Sequence, residues 1–475
     1  MSLGDLLQHY RGRARLTQTE LAGLSAVSVR AIRNLELGLA KNPRKETIRL
    51  LADALRLGGG RRAALFVAAG LQADDASFEA LSVLPAVAAT RPHGRGADLD
   101  RTVGLLRRPT GRTVTVAGLG GSGKTRLALA AAHTLHTGTG VPTLWMSVPR
   151  AAGTDAGAYP DGLQVAPASW MEGLLARTGG ATAEAARLVG DRDVLLVIDG
   201  NDTTPDGDHV SRATMDSLLA ECPRLRILET TRTARDREQD RTVQLGPLHD
   251  QDVAALGGPH PAPPSPALAV LLDRIAELRP GYRPDTGDAA ALREICSLLD
   301  GLPRALESVA SWLLLCAPDE LVSMARTEPL LLAAPPCDTP SGSWVDRALT
   351  QALAELTKDQ RMLLAQLADW GGHWTVEQVA QRLGLSRASA AVTVQALLQQ
   401  GLVRRERTDR RIAFSVLNLV RAACPSVPPH LPHLSHPSQR QEEDPHDGAD
   451  HRRDTRRFGT AAGLLRDRPR RDHAA

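Results

Sequence analysis

A chain of 475 residues is long enough for two to four domains, each burying a sizeable core. No apolar run reaches membrane-spanning length and the N-terminus lacks an apolar signal segment, so a cytoplasmic protein without a membrane partner is expected. Five scattered cysteines (Cys222, Cys296, Cys316, Cys337, Cys424) form no Cys-x-x-Cys pair, which argues against a zinc site or a disulfide framework.

The basic residues are almost all arginine, the only lysines being Lys41, Lys45, Lys124 and Lys358. With abundant Ala, Gly and Pro, this reads as a GC-rich genome, so arginine content alone says little about nucleic acid. Its placement says more. Residues 1–70 carry 12 Lys and Arg against 5 Asp and Glu, a surplus of +7, and the net +3 of the whole chain leaves about −4 for the remainder. A local basic end is the footprint expected of a nucleic-acid contact.

Apolar residues at helical spacing predict five short helices in residues 1–70. Leu3, Leu6 and Leu7 mark the first. Thr17, with Glu20 three residues on, makes a capping box for the second, whose inner face is Leu21, Ala22 and Leu24. Ser28 caps the third, which buries Val29, Ile32 and Leu35 and stops at Gly38. The fourth runs from about Glu46 to Leu57 and the fifth from about Arg61 to Ala69. The block from Leu16-Thr17-Gln18 through Val27-Ser28-Val29-Arg30 and Ile32-Arg33-Asn34-Leu35-Glu36 to Gly38 resembles the lambda-repressor-like (XRE) helix-turn-helix family over residues 3–57. The resemblance implies double-stranded DNA as partner, with the third helix in the major groove. Arg30, Arg33 and Asn34 would then lie at base edges or nearby backbone, Gln18, Lys41, Arg44 and Lys45 on phosphates, with Ser28 also among the DNA-binding residues. Ala26 stands where that family usually has Gly; if the turn needs a positive φ, alanine costs about 1 kcal/mol. The alternative is a helical module that binds protein through a solvated basic face.

Residues 71–93 read as a tether. Gly94-Arg95-Gly96 then leads into a short helix (Val103, Leu105, Leu106). The apolar run Thr113-Val114-Thr115-Val116-Ala117 precedes Gly118-Leu119-Gly120-Gly121-Ser122-Gly123-Lys124-Thr125, and a helix former, Arg126 onward, follows. This is the strand, loop and helix setting of a phosphate-binding loop. Backbone N–H groups of Gly118, Gly120, Gly121, Ser122 and Gly123 would turn around an anion at a helix N-terminus. Lys124 would reach the β- and γ-phosphates and Thr125 would hold Mg²⁺. Thr143–Val148 predicts a second strand, with a Gly/Ala/Pro-rich insertion over residues 149–168 and helical runs at 169–178 and 181–189. Asp193-Val194-Leu195-Leu196-Val197-Ile198-Asp199 is a buried parallel strand ending in an acid, about 75 residues beyond the loop. Asp199 there suits the Mg²⁺ shell. Gly200 stands where a second acid often sits, and Asp202 is the nearest substitute, so a slow switch is expected rather than a motor. Leu225–Arg232 is a further strand ending in Thr-Thr-Arg.

Residues 267–324 are mostly helical and contain Leu299-Asp300-Gly301-Leu302-Pro303-Arg304-Ala305-Leu306-Glu307. Helices at 345–356, 360–367, 376–383 and 387–399, followed by short strands near 402–405 and 412–415, make a winged-helix pattern. Taken in order, these motifs from residue 94 to about 424 resemble the STAND/NB-ARC ATPases. The resemblance implies ATP/ADP and Mg²⁺ as cofactors. It places Gly94 and Arg95 against adenine, Gly301 and Pro303 on the base, Arg126 beside the phosphate loop, and Arg232 as a sensor of the γ-phosphate. It also implies that the winged helix packs on the nucleotide in the resting state. The Met-His-Asp triplet that often locks that state corresponds to Val416-Leu417-Asn418.

The expected architecture is therefore multidomain α and α/β: a five-helix helix-turn-helix domain (1–70), a linker (71–93), a P-loop nucleotide domain (94–250), a helical domain (251–343), a winged-helix domain (344–424) and a disordered C-terminal tail (425–475). The expected function is a sequence-specific DNA-binding transcriptional regulator switched by ATP/ADP, with a homo-oligomer as a possible ATP-bound form. Lys124, Asp199, Asp202 and Arg232 would carry any slow hydrolysis. The alternatives are a STAND signalling or defence ATPase with a protein-binding N-terminal module, and an ordinary ATP hydrolase, which Gly200 disfavours.

Overall fold

The N-terminal helices α1 (Leu3–Arg13), α2 (Gln18–Ser25), α3 (Val29–Glu36), α4 (Lys45–Ala54) and α5 (Gly59–Ala68) enclose a core of Leu7, Leu21, Ile32, Leu35, Ile48, Leu51 and Phe66. The computed structural model describes residues 3–40, 42–71, 78, 92–148, 181–202, 210–233, 241–248, 264–338, 342–408 and 411–424, all within one compact unit, Met1–Val427. The Thr17–Glu20 capping box forms as expected: Thr17 N–H donates to Glu20 Oε2 at 2.7 Å and Glu20 N–H to Thr17 Oγ1 at 3.2 Å. Two apolar residues expected inside are not. Leu24 is 62 % exposed, because Leu21 and Ser25 fill the single stripe that an eight-residue helix buries here; Val29 is 38 % exposed, because only Ile32 and Leu35 of α3 reach the core.

An α/β domain follows with α6 (Gly96–Leu106), β1 (Thr113–Ala117), α7 (Lys124–Thr139), β2 (Thr143–Ser147), α8 (Ala181–Val189), β3 (Val194–Asp199), α9 (Arg212–Glu221), β4 (Leu225–Thr231) and β5 (Arg241–Gln244). The strands form a parallel sheet in the order β2-β3-β4-β1-β5. Continuous apolar runs explain this: β1 and β3 are buried along their whole length, as strands covered by helices on both faces must be. The order brings the C-terminal ends of β1, β3 and β4 together, which is where open α/β sheets bind ligands.

One element belongs to two cores. Leu65 and Phe66 of α5 pack within the N-terminal domain, while Ala63 and Val67 pack with Leu144, Met146, Ala185 and Leu188 of the α/β domain. Phe78, in the segment read as a tether, is buried in the same cluster, with the Arg192 guanidinium 4.9 Å above its ring. The N-terminal domain is docked on the α/β domain.

Beyond the sheet come α10 (Pro266–Leu278), α11 (Thr286–Leu298), α12 (Pro303–Trp312), α13 (Pro318–Thr327) and α14 (Pro329–Leu332). Then follow α15 (Trp344–Ala354), α16 (Lys358–Trp370), α17 (Val376–Leu383), α18 (Arg387–Gln399), β6 (Val403–Thr408), β7 (Arg411–Val416) and α19 (Asn418–Ala423). Strands β6 and β7 form an antiparallel wing, extended by Trp374, whose backbone pairs with Phe414. The helical and winged-helix segments share one continuous core, which also takes in Leu119 of the phosphate loop. The insertion at 149–168, the helical run at 169–178 and the tail at 425–475 lie outside the described residues.

Candidate functional site

The phosphate loop leaves β1 and ends at the N-terminus of α7, so its N–H groups and the helix dipole face the same space. Glycine is required by geometry at two points. A Cβ on Gly118 would lie 2.3 Å from the Leu245 carbonyl oxygen, and one on Gly121, at φ +81°, would lie 2.6 Å from the Trp344 ring. Lys124 Nζ donates to the carbonyls of Gly118 (2.9 Å) and Leu119 (3.1 Å), folding back along the loop. Ser122 is fully buried, and its Oγ has no hydrogen-bond partner among the described residues. Protein neighbours hold Gly118 and Gly121 close, and the orphaned Ser122 hydroxyl beside the N-terminus of α7 is the group here that suits a polyphosphate.

Strand order brings Asp199, the acid expected at the end of β3, to this loop. Thr125 Oγ1 donates to Asp199 Oδ1 at 2.9 Å and lies 3.1 Å from Oδ2; Thr230 Oγ1 donates to Asp199 Oδ1 at 2.6 Å. A hydroxyl and a carboxylate already in contact are the hard oxygen donors that Mg²⁺ selects. Asp202 accepts from the Arg232 N–H at 2.6 Å, and its Oδ2 lies 3.0 Å from Arg232 Nε as an ion pair. The Arg232 guanidinium also donates to Gln351 of α15, and the Thr233 hydroxyl to Glu355. Asp202 and Arg232 are thus paired with each other, and Arg232 reaches the winged-helix segment.

Arg95 is buried and donates through Nη2 to the carbonyls of Ser122 (3.1 Å) and Gly246 (2.5 Å), pinning the phosphate loop to the end of β5. Burial lowers its pKa, and Asp98 partly offsets this. Gly94, at φ +65°, packs against Pro266. The Gly301-Leu302-Pro303 turn also reaches the loop. Pro303 lies against Gly123, the Arg304 N–H donates to the Gly121 carbonyl at 3.2 Å, and Gly301 exchanges backbone contacts with Leu248. Gly120 abuts Ala348 of α15, and Arg126 lies 3.7 Å from Glu307. The rim of the loop is therefore covered by α12 and α15, with the Arg304 guanidinium 5.0 Å above the Trp344 ring.

Two buried arrangements went unread in the sequence. Glu229, fully buried in β4, accepts from Thr115 Oγ1 (2.8 Å) and Asn201 Nδ2 (2.9 Å), holding the ends of β1 and β3 together. An acid directly after the apolar run Ile227-Leu228 of a buried strand was the available signal. Asp300, at φ +59°, accepts from the N–H groups of Asn418 and Leu419, each at 2.9 Å, and so caps α19. Burial pushes its pKa up to about 6 against the lowering effect of those two bonds and of Arg404 and Arg421. Asn418, where the resemblance has the last residue of its triplet, also donates to the carbonyls of Ser297 and Leu298 at 3.3 Å.

On the N-terminal domain, Arg30 and Arg33 of α3 are exposed and Asn34 is half-buried. Ser28 Oγ caps the helix by accepting from the Ala31 N–H at 3.3 Å. Gln18 donates to Glu36 Oε2 at 2.7 Å, beside the Arg11–Glu36 ion pair at 2.7 Å. Burial alone would raise the Glu36 pKa; its bonds from Arg11 and Gln18 outweigh that and hold it below the usual range. Arg44 and Lys45 are exposed at the start of α4, and Lys41 lies outside the described residues. Among the described residues no helix is long and apolar enough to cross a membrane, and no cluster of metal-ligating side chains of three or more occurs.

Comparison with known proteins identifies the two end modules. Residues 2–65 match the helix-turn-helix domain family and residues 354–412 the MarR family. The first is a helix-turn-helix domain and the second a MarR-type winged helix. A protein of Mycobacterium tuberculosis named as an HTH-type transcriptional regulator is 28 % identical over 317 residues, covering 65 % of this chain and 33 % of the relative. An uncharacterized protein of the same organism is 28 % identical over 296 residues, covering 61 % of this chain and 68 % of the relative. The chain spans about a third of the length of the regulator it matches. Among solved structures, a STAND protein with a tetratricopeptide repeat sensor from Pyrococcus horikoshii aligns at 15 % identity and TM-score 0.25, over 68 % of this chain and 41 % of that one. The Orc1 protein of Aeropyrum pernix in complex with DNA aligns at 13 % identity and TM-score 0.30, over 73 % and 95 %.

Proposed function

We propose that this chain is a sequence-specific DNA-binding transcriptional regulator whose state is set by ATP or ADP. The observation that carries the reading is the pairing, within one compact unit, of an exposed α3 bearing Arg30 and Arg33 with a phosphate loop whose rim is covered by other segments of the chain. Arginine is suited to guanine and Asn34 to adenine in the major groove, while Ser28, Gln18, Lys41, Arg44 and Lys45 serve positioning. The N–H groups from Gly118 to Thr125 would hold the phosphates, with Lys124 neutralising their charge and Thr125 and Asp199 holding Mg²⁺. That ion would supply positive charge against the phosphates. Arg95 fixes the loop from behind, and Gly94, Gly301 and Pro303 line its approach.

The switch follows from the rim contacts. Arg232 cannot both pair with Asp202 and Gln351 and turn to a γ-phosphate. ATP and ADP would therefore differ in how firmly α15 is held, and this differential affinity is what a population shift requires. Gly200 and the engagement of Asp202 by Arg232 both suit slow turnover. Dimeric engagement of two half-sites, with self-association in the ATP state, fits the reader.

The test is selection of bound duplexes from a random pool by the full chain with ATP or with ADP. Arg30→Ala/Arg33→Ala serves as the reader control and Lys124→Ala as the nucleotide control. A motif that needs both arginines and changes in yield with nucleotide, but not in Lys124→Ala, is expected. A motif indifferent to nucleotide removes the switch. No motif in either state favours a protein-binding N-terminal module on a signalling ATPase.

A further inference from the structure

Between Gly301 and Leu306 the chain carries a single charge, Arg304, in an otherwise apolar turn. It is the second residue of α12 (Pro303–Trp312), and its backbone is rooted on the phosphate loop. Its N–H donates to the Gly121 carbonyl at 3.2 Å, and a Cβ on Gly121 would lie 3.1 Å from its own Cβ. Pro303 before it stands 3.9 Å from the position of a Cβ on Gly123. The Ser308 hydroxyl donates to its carbonyl at 3.0 Å and tightens the first turn of the helix. The main chain of this residue is fixed, and only its long side chain can move.

The guanidinium lies 5.0 Å above the Trp344 ring. That ring is itself fixed: it is buried, its Nε1 donates to the Ala333 carbonyl at 3.0 Å, and it packs on the loop at Gly121. The cation therefore sits at the outer rim of the loop, between α12 and the first residue of α15, and it is only half-buried. A ring face holds a guanidinium less firmly than a phosphate does. The ring offers a quadrupole, whereas a phosphate offers a full charge and two acceptors for the planar fork.

We propose that Arg304 selects for a triphosphate: with ATP its guanidinium leaves the Trp344 face for the outermost phosphate, and with ADP it stays on the ring. This rests on the reading of the loop as an ATP/ADP site. The loop's N–H groups and the N-terminus of α7 hold the inner phosphates, and a cation rooted outside the rim at Gly121 meets the end of the phosphate chain rather than its middle. The exchange also reaches beyond the site. Trp344 opens α15 and loses its cation only when the third phosphate is present, so ATP loosens the hold of α12 on α15 and ADP does not.

The test is calorimetric titration of the full chain, with Mg²⁺, against ADP and against a non-hydrolysable ATP analogue. Arg304→Leu keeps an apolar stem on the loop without the charge. It is expected to weaken the ATP analogue by about tenfold or more, the loss of one charge-assisted hydrogen bond, and to leave ADP within about twofold. Retained ADP binding is the check on its fold, and Arg304→Lys, with the charge but not the fork, is expected to fall between. In the parent chain the emission of Trp344, taken as the difference from Trp344→Phe, should change with the ATP analogue and not with ADP. Both nucleotides weakened alike in the leucine and lysine variants, or neither weakened, overturns the proposal, as does a Trp344 signal that ADP moves equally. Lys124→Ala tests the underlying reading separately: a parent chain that binds neither nucleotide, or binds both whether or not Lys124 is present, overturns the loop as an ATP/ADP site.

Discussion

Asp300→Asn isolates the carboxylate that ties the Gly-Leu-Pro turn to α19. Asp300 is buried, and its pKa is pushed up to about 6 from an ordinary 3.8. The folded chain then holds this proton over a window in which the unfolded chain has released it. Stability accordingly falls as pH rises from about 4 to about 6 and levels off above. Two pK units correspond to about 3 kcal/mol over the whole window, of which about half falls between pH 5 and pH 8. Asparagine tolerates the left-handed φ of +59° and keeps one acceptor oxygen for one of the two N–H groups of α19, but it cannot ionise. Relative to the parent chain, Asp300→Asn should therefore gain about 1.5 kcal/mol between pH 5 and pH 8, whatever its offset at either pH. Asp300→Ala lacks both acceptors and should be the least stable at every pH, each orphaned N–H costing about 1–3 kcal/mol. The assay is urea unfolding of the full chain followed by tryptophan fluorescence, because Trp344 and Trp374 are buried in the affected core. A constant difference between parent and Asp300→Asn at the two pH values refutes the argument.

Ala26→Gly should stabilise the N-terminal domain by up to about 1 kcal/mol, since Ala26 adopts φ +55° with its side chain exposed and no packing to lose; a raised thermal midpoint checks it. Glu36 has a depressed pKa, so its bonds to Arg11 and Gln18 contribute stability above the usual glutamate range and lose it as pH falls through the folded value. Glu36→Gln should cost about 2 kcal/mol at neutral pH and remove that part of the acid sensitivity, as read by denaturant midpoints at several pH values. Phe78→Ala should cost about 3–4 kcal/mol at the junction of α5 with the nucleotide domain, detected as faster proteolysis between the two.

Where local chemistry settles conformation, the sequence was a good guide. The ranges of α17 and α18 matched to the residue, because Thr375, Gly384 and Ser386 punctuate them. The parallel sheet followed from apolar runs, and Thr125 meets Asp199 because the order β3-β4-β1 brings both strand ends to the same edge, one strand apart. What failed was tertiary. Leu24 is as apolar as Leu21, and only the packing of α2 decides which is buried. Phe78 sits among polar and irregular residues with no periodicity to mark it. The Asp202–Arg232 pair and its link to Gln351 span more than a hundred residues, and each partner alone reads as a site residue.

Because α5 feeds Leu65 and Phe66 into one core and Ala63 and Val67 into the other, it works as a rigid axle between the helix-turn-helix domain and the α/β domain. The orientation of α3 is then inherited from the α/β domain rather than averaged by a flexible leash. In the proposed assembly of two copies, the helical phase between half-sites would be dictated by how the α/β domains face each other. Inserting half a turn of duplex, about five base pairs, between half-sites puts one of them on the wrong side of the DNA, and a rigid axle cannot follow it. A full-turn insertion restores the face but not the distance. A fragment cut at residue 70 would spin free of this constraint, at the expense of baring the two apolar side chains that the axle keeps for its other end.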